Sequence, residues 1–70
     1  MDKQTIERDM KKFVGGGSFI TATKLARFLQ KRDTFAYSLV NGLEKIPAEK
    51  KGTIYYIPDV AQRIMEAKRQ

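Results

Sequence analysis

Apolar positions recur at helical spacing in four segments of the chain and at strand-like density in one, with glycines or charged residues between them. Ile6, Met10 and Phe13, with Val14 beside them, predict a helix over 2–14. Lys3/Glu7 and Glu7/Lys11 are one turn apart on its polar side and are expected to pair. The glycines at 15–17 end this helix, because glycine forms helix poorly and terminates it well. Phe19 and Ile20 read as extended chain. A second helix is predicted over 22–30, with Leu25, Ala26 and Leu29 inward and Phe28 on the flank. A hydroxyl of Thr21 or Thr23 is placed to cap it. A third helix is predicted over 34–42, with Asp33 or Thr34 as its cap and Gly42 at its end. Its apolar side is Ala36, Leu39, Val40 and Leu43.

Strand formers follow. Residues 44–47 and 53–57 read as two strands of a hairpin spanning 44–57, joined by the turn AEKKG, where Gly52 suits a left-handed backbone. Tyr55 and Tyr56 point to opposite faces of the second strand, so one of them belongs to the core. Pro58 and Asp59 suit the first turn of a last helix over 58–68, which buries Val60, Ala61 and Ile64, with Met65 beside them. The whole chain, 1–70, is expected to form one mostly α domain. Its layout is a winged helix-turn-helix with a two-stranded β-hairpin and an extra N-terminal helix.

The spacing inside residues 23–43 adds to this layout. Leu25, Ala26 and Leu29, set against Ala36 and Leu39, suit two short helices crossing steeply, with the small Ala26 where the backbones approach. The turn carries Gln30 where such pairs often have glycine, and Lys31 where they often have an apolar residue. At roughly 100° per residue, Thr34, Tyr37, Ser38 and Asn41 fall opposite the apolar side. With Arg32 at the N-terminal end, they are residue types suited to base edges and phosphates. Phe35 does not fit this stripe and is expected to pack on Phe28 or Leu25. Lys24, Arg27, Lys31, Lys45, Lys50, Lys51 and Thr53 are candidates for phosphate contact. A solvated polar surface is the plainer account of each such residue taken alone.

Composition narrows the chemistry. The chain has no cysteine and no histidine, which excludes disulfides and thiolate metal sites and removes the usual general base. Neither a catalytic constellation nor a cofactor or metal site is expected. The GGGSF segment lacks the residues of a phosphate-cradling loop. Fourteen basic residues against eight acidic ones leave a net charge of +6, which suits a polyanionic partner. No apolar run is long enough to cross a membrane, and the polar N-terminus lacks a signal core. A cytoplasmic, nucleoid-associated bacterial protein is expected.

The stretches ITATKLARFL and IPAEKKGTIYYIPDVAQRI, with the short helix between them, resemble the small excisionase-like winged-helix proteins of phages and integrative elements, relatives of the MerR-type DNA-binding domain. The resemblance covers residues 19–66 and is most distinctive at YYIPDVA, 55–61. It implies a recognition helix at 34–42 and a wing around 47–53. The implied activity is architectural binding of double-stranded DNA that promotes excision of a mobile element. An integrase or recombinase, and further copies of the chain on DNA, are the implied partners. A phage or mobile-element transcriptional regulator would use the same parts. A protein-interaction module would instead present Phe35 and Tyr37 together, as aromatic side chains dominate protein hot spots.

Overall fold

The computed structural model describes residues 2–50 and 52–68. Its elements run α1 (Lys3–Phe13), β1 (Phe19–Thr21), α2 (Ala22–Leu29), α3 (Asp33–Val40), β2 (Ile46–Ala48), β3 (Gly52–Tyr56) and α4 (Ile57–Lys68). The fold is mostly helical, with a three-stranded antiparallel sheet in the order β1-β3-β2.

The third strand corrects the expected two-stranded hairpin. Phe19–Thr21 pairs with β3 through Phe19↔Tyr56, Ile20↔Tyr55 and Thr21↔Ile54. Strand alternation explains both faces. Ile20 and Tyr55 turn inward and are buried, whereas Phe19 and Tyr56 turn outward with ring centroids 5.6 Å apart. Tyr55 is therefore the core tyrosine. The hairpin is also shifted relative to the expected strands 44–47 and 53–57. Its register pairs Ile46 with Ile54 and Ala48 with Gly52. Gly52 has a φ of 79°, which a side chain would oppose. Ile57 belongs to α4, and its backbone N–H donates to the Ser18 carbonyl at 2.8 Å.

The helices start and stop for local reasons. Asp2 accepts the Thr5 backbone N–H at 2.8 Å and caps α1, and this bond holds its carboxyl below the usual carboxylate value. At the other end the Gly16 N–H donates to the Lys11 carbonyl and the Gly15 N–H to that of Lys12, a Schellman closure in which Gly15 supplies the left-handed residue. Of the two threonines considered, Thr21 caps α2, its hydroxyl accepting the Lys24 N–H at 3.2 Å. The same closure ends α2: Lys31 N–H donates to the Ala26 carbonyl and Gln30 N–H to that of Arg27. Here Gln30 holds the left-handed conformation at φ 57°, ψ 43°. The expected helix 22–30 thus stops at Leu29, and the glycine missing from the turn is replaced by a strained glutamine.

The core gathers Ile6 and Met10 of α1, Ile20, Leu25 and Ala26 of α2, Ala36 and Val40 of α3, Tyr55, and Ile57, Val60, Ala61 and Ile64 of α4. Both small residues of the helix pair, Ala26 and Ala36, are buried there. Phe13, expected in the core, is half exposed and meets Phe28 edge-on at 5.6 Å. Phe35, expected to pack on Phe28 or Leu25, is 43 % exposed and lines a groove with Leu29, Leu39 and Ile64. Lys3/Glu7 and Glu7/Lys11 do not pair: among the described residues the ion pairs are Arg8–Asp9 and Arg63–Glu66.

A left-handed L-residue costs about 1–2 kcal/mol, part of which glycine returns to the unfolded chain as entropy. Gln30→Gly is therefore expected to stabilise the protein by about 1 kcal/mol, raising the melting midpoint by about 4–8 °C. An unchanged or lower midpoint would show that the closure of α2 is not strained.

Candidate nucleic-acid interface

The placement of α3 starts from its ends. Arg32 is the N-cap residue, in extended backbone, and its carbonyl accepts the N–H groups of Phe35 and Ala36 at 3.0 and 3.3 Å. No side chain caps this end. Asp33 and Thr34, the expected caps, already lie in the first turn. Asp33 there meets the positive end of the helix dipole, and the Thr34 side chain is left exposed.

The C-terminal end is earlier than expected. The helix stops at Val40, and Asn41 turns away at φ −59°, ψ 127°. Asn41 is therefore not part of a continuous helical stripe. A tight turn follows, closed by the Leu43 N–H donating to the Val40 carbonyl at 3.0 Å, and it is clamped by Arg63 of α4. Its Nη1 donates to the Asn41 carbonyl at 2.7 Å and the Leu39 carbonyl at 3.3 Å. These oxygens lie at a helix end, where carbonyls lack intrahelical partners and a cation is favourable. Nη2 lies 3.2 Å from where a Cβ on Gly42 would stand, and Gly42 has a φ of 92°. The glycine thus allows both the turn and the close approach of the guanidinium. Periodicity gave Arg63 no role, since it lies off the apolar stripe of its helix and 22 residues from its nearer partner in the chain.

With Ala36 and Val40 buried, helix geometry makes Thr34 and Ser38 the outer crest of α3, one turn apart. Tyr37 and Phe35 fall on opposite flanks. Tyr37 lines a cleft of about 310 Å³ with Thr21 and Thr23 at the start of α2, and with Lys45 and Thr53 of the hairpin. Thr53 shares the sheet face of Tyr55, which turns it towards this cleft. Phe35 lines a separate groove against α4. The two aromatic side chains are both exposed and line different recesses.

The remaining candidates divide by location. Arg27 is exposed one turn along from Thr23, and Lys50 is exposed at the hairpin tip. Lys51 lies outside the described residues. Lys24 is across the sheet from the Tyr37 cleft, in a recess with Phe19, Ala48 and Ile54. Lys31 points to the other flank of α3, its Nζ 5.9 Å from the centre of the Phe35 ring, within reach of a cation–π attraction. The structure therefore brings together Thr34, Ser38, Tyr37, Lys45 and Thr53, with Arg32 at the helix start. It separates Lys24 and Lys31 from them.

One charge pattern was legible in the chain but not in its totals. No acidic residue occurs between Asp9 and Asp33, while that run holds Lys11, Lys12, Lys24, Arg27, Lys31 and Arg32. None of these cations closes an ion pair among the described residues. No helix among the described residues is long and apolar enough to cross a membrane. No known family model, characterised protein or solved structure matches the chain.

If Arg63 ties down the end of α3, Arg63→Met is expected to cost roughly 1–3 kcal/mol, the scale of hydrogen bonds to a charged group. Arg63→Lys is expected to recover part of it. Urea denaturation of the three proteins checks this, and an unchanged midpoint for Arg63→Met would remove the clamp.

Proposed function

We propose that this protein binds duplex DNA as a winged helix, with α3 in the major groove and the β2–β3 hairpin as a wing on the flanking backbone. One observation carries the reading: Tyr37, on the flank of the exposed hydroxyl crest of α3, shares a cleft with Lys45 and Thr53 of the hairpin. An α-helix fits the major groove, and the N-terminal residues of such a helix reach deepest. At that end stand Arg32 and Thr34, beside the Asp33 carboxylate, with Tyr37 and Ser38 one turn further along. Arg32 suits guanine or phosphate, and the hydroxyls suit several base edges. Asn41, beyond the helix end, is assigned to the sugar–phosphate edge. Lys45, Lys50 and Arg27 flank the crest and are assigned to phosphates.

Within this reading, the excisionase-like role rests on the resemblance at 55–61. The layout there supports it: β3 runs into α4 without a loop, and Pro58 takes its place in the first turn. An excisionase of this kind binds near an attachment site, bends the duplex and biases a separate recombinase. The chain's own residues bind, orient and deform DNA, and strand exchange is left to that partner.

The first test is fluorescence anisotropy of a random duplex of about 25 base pairs at two salt concentrations, where phosphate-driven binding weakens steeply as salt rises. No binding at low salt would sink the proposal. After a site selection, Thr34→Ala combined with Ser38→Ala is expected to lose about tenfold or more on the selected site, roughly 1.4 kcal/mol, and little on random DNA. Equal loss on both would show that the crest does not read bases. Arg27→Ala with Lys45→Ala is expected to weaken every duplex and to reduce the log–log salt slope by about two. An unchanged slope would take the hairpin flank out of the interface.

A further inference from the structure

Behind α3, on the flank away from the hairpin, a groove of about 330 Å³ runs between the end of α2, the start of α3 and the last turns of α4. Its lining is almost wholly apolar and includes Leu29, Phe35, Leu39 and Ile64. Phe35 is 43 % exposed there. The charged residues of the lining are Lys31 and Lys68, both cationic. Neighbouring acids turn elsewhere. Asp33 lies two residues before Phe35, on the opposite side of α3, and Glu66 is two residues after Ile64 and engaged with Arg63. DNA does not suit such a surface, since a phosphate backbone has nothing to gain from an apolar floor.

We infer that this groove docks a short acidic–apolar segment of a partner protein. One bulky apolar side chain of that segment rests against Phe35 and Ile64, and its flanking carboxylates meet Lys31 and Lys68. The volume is at the lower end of that of ligand sites, enough for one or two side chains. An aromatic floor with a charged rim is the usual form of a binding hot spot. Charge complementarity selects this occupant over a second copy of the chain. None of the chain's exposed aromatic residues, Phe13, Phe19, Phe35, Tyr37 and Tyr56, has an acidic residue next to it, and Phe13 follows Lys11 and Lys12, which the lysines of the rim repel. Because the groove and the crest of α3 are on different flanks, the segment binds without displacing DNA.

The test is selection of a displayed random 12-residue peptide library on the full chain, followed by titration of the enriched peptides. Enrichment of a bulky apolar residue flanked by Asp or Glu is expected. Affinity should fall at least tenfold with Phe35→Ser, a change at an exposed position whose fold is checked by its melting curve. Lys31→Glu with Lys68→Glu should weaken the acidic peptides and favour their lysine counterparts. A random duplex should leave peptide binding unchanged. Enrichment of neutral or basic peptides, binding that survives Phe35→Ser, displacement by DNA, or no enrichment would each overturn the inference. So would concentration-dependent self-association abolished by Phe35→Ser, which would assign the groove to a second copy.

Discussion

Three rungs of strand pairing position most of this molecule. β1 is only three residues long and runs without a loop into α2; β3 runs without a loop into α4. Pairing β1 with β3 therefore fixes where both helices begin. The Ile57 N–H extends the ladder to the Ser18 carbonyl, so the first residue of α4 is held by the same network. In a chain of this size few buried residues are available, and a small core is only marginally stabilising. Backbone pairing that orients two helices at once compensates for a core with little redundancy. Ile20 and Tyr55 on its inner face also contribute buried side chains.

From that base, α3 is held from both ends by other elements. Its start is set by the closure of α2, where Gln30 takes a conformation glycine would adopt more easily. Its end is clamped by Arg63, reaching from α4 to carbonyls that the helix leaves unpaired. Ala26 and Ala36 let the backbones approach between those ends. A helix of eight residues has little stability of its own, so its rigidity comes from these attachments. The outer crest is consequently free of structural duties, and the same arrangement turns Tyr37 and Phe35 to different neighbours.

Much of this was legible in the chain because periodicity records burial. Leu25, Ala26, Ala36, Val40, Val60, Ala61 and Ile64 were all placed inward from spacing alone, and all are buried or nearly so. Thr21 and Gly52 were legible from cap and turn chemistry. Three residues of β1 are too few for a period to show, and their partner lies more than thirty positions away. Phe13 followed the helical stripe but lies at its last turn, where the core has already ended. Gly42 was legible as the end of α3, whereas the clamp by Arg63 is a long-range contact with no local signature. For the candidate site, residue types showed what could touch a polyanion. The separation of Lys24 and Lys31 from the crest required the sheet and the α4 flank to be in place.

The sheet has two open edges, and the chain treats them differently. β1 offers too short a row of backbone groups to template another strand. On the other side, β2 carries Pro47 at its centre, which has no N–H to offer, and exposed Lys45 and Lys50 flank it. Short strands, proline and lysine are the usual protections against edge-to-edge joining. The protein can therefore be concentrated without its sheets joining edge to edge into a fibre.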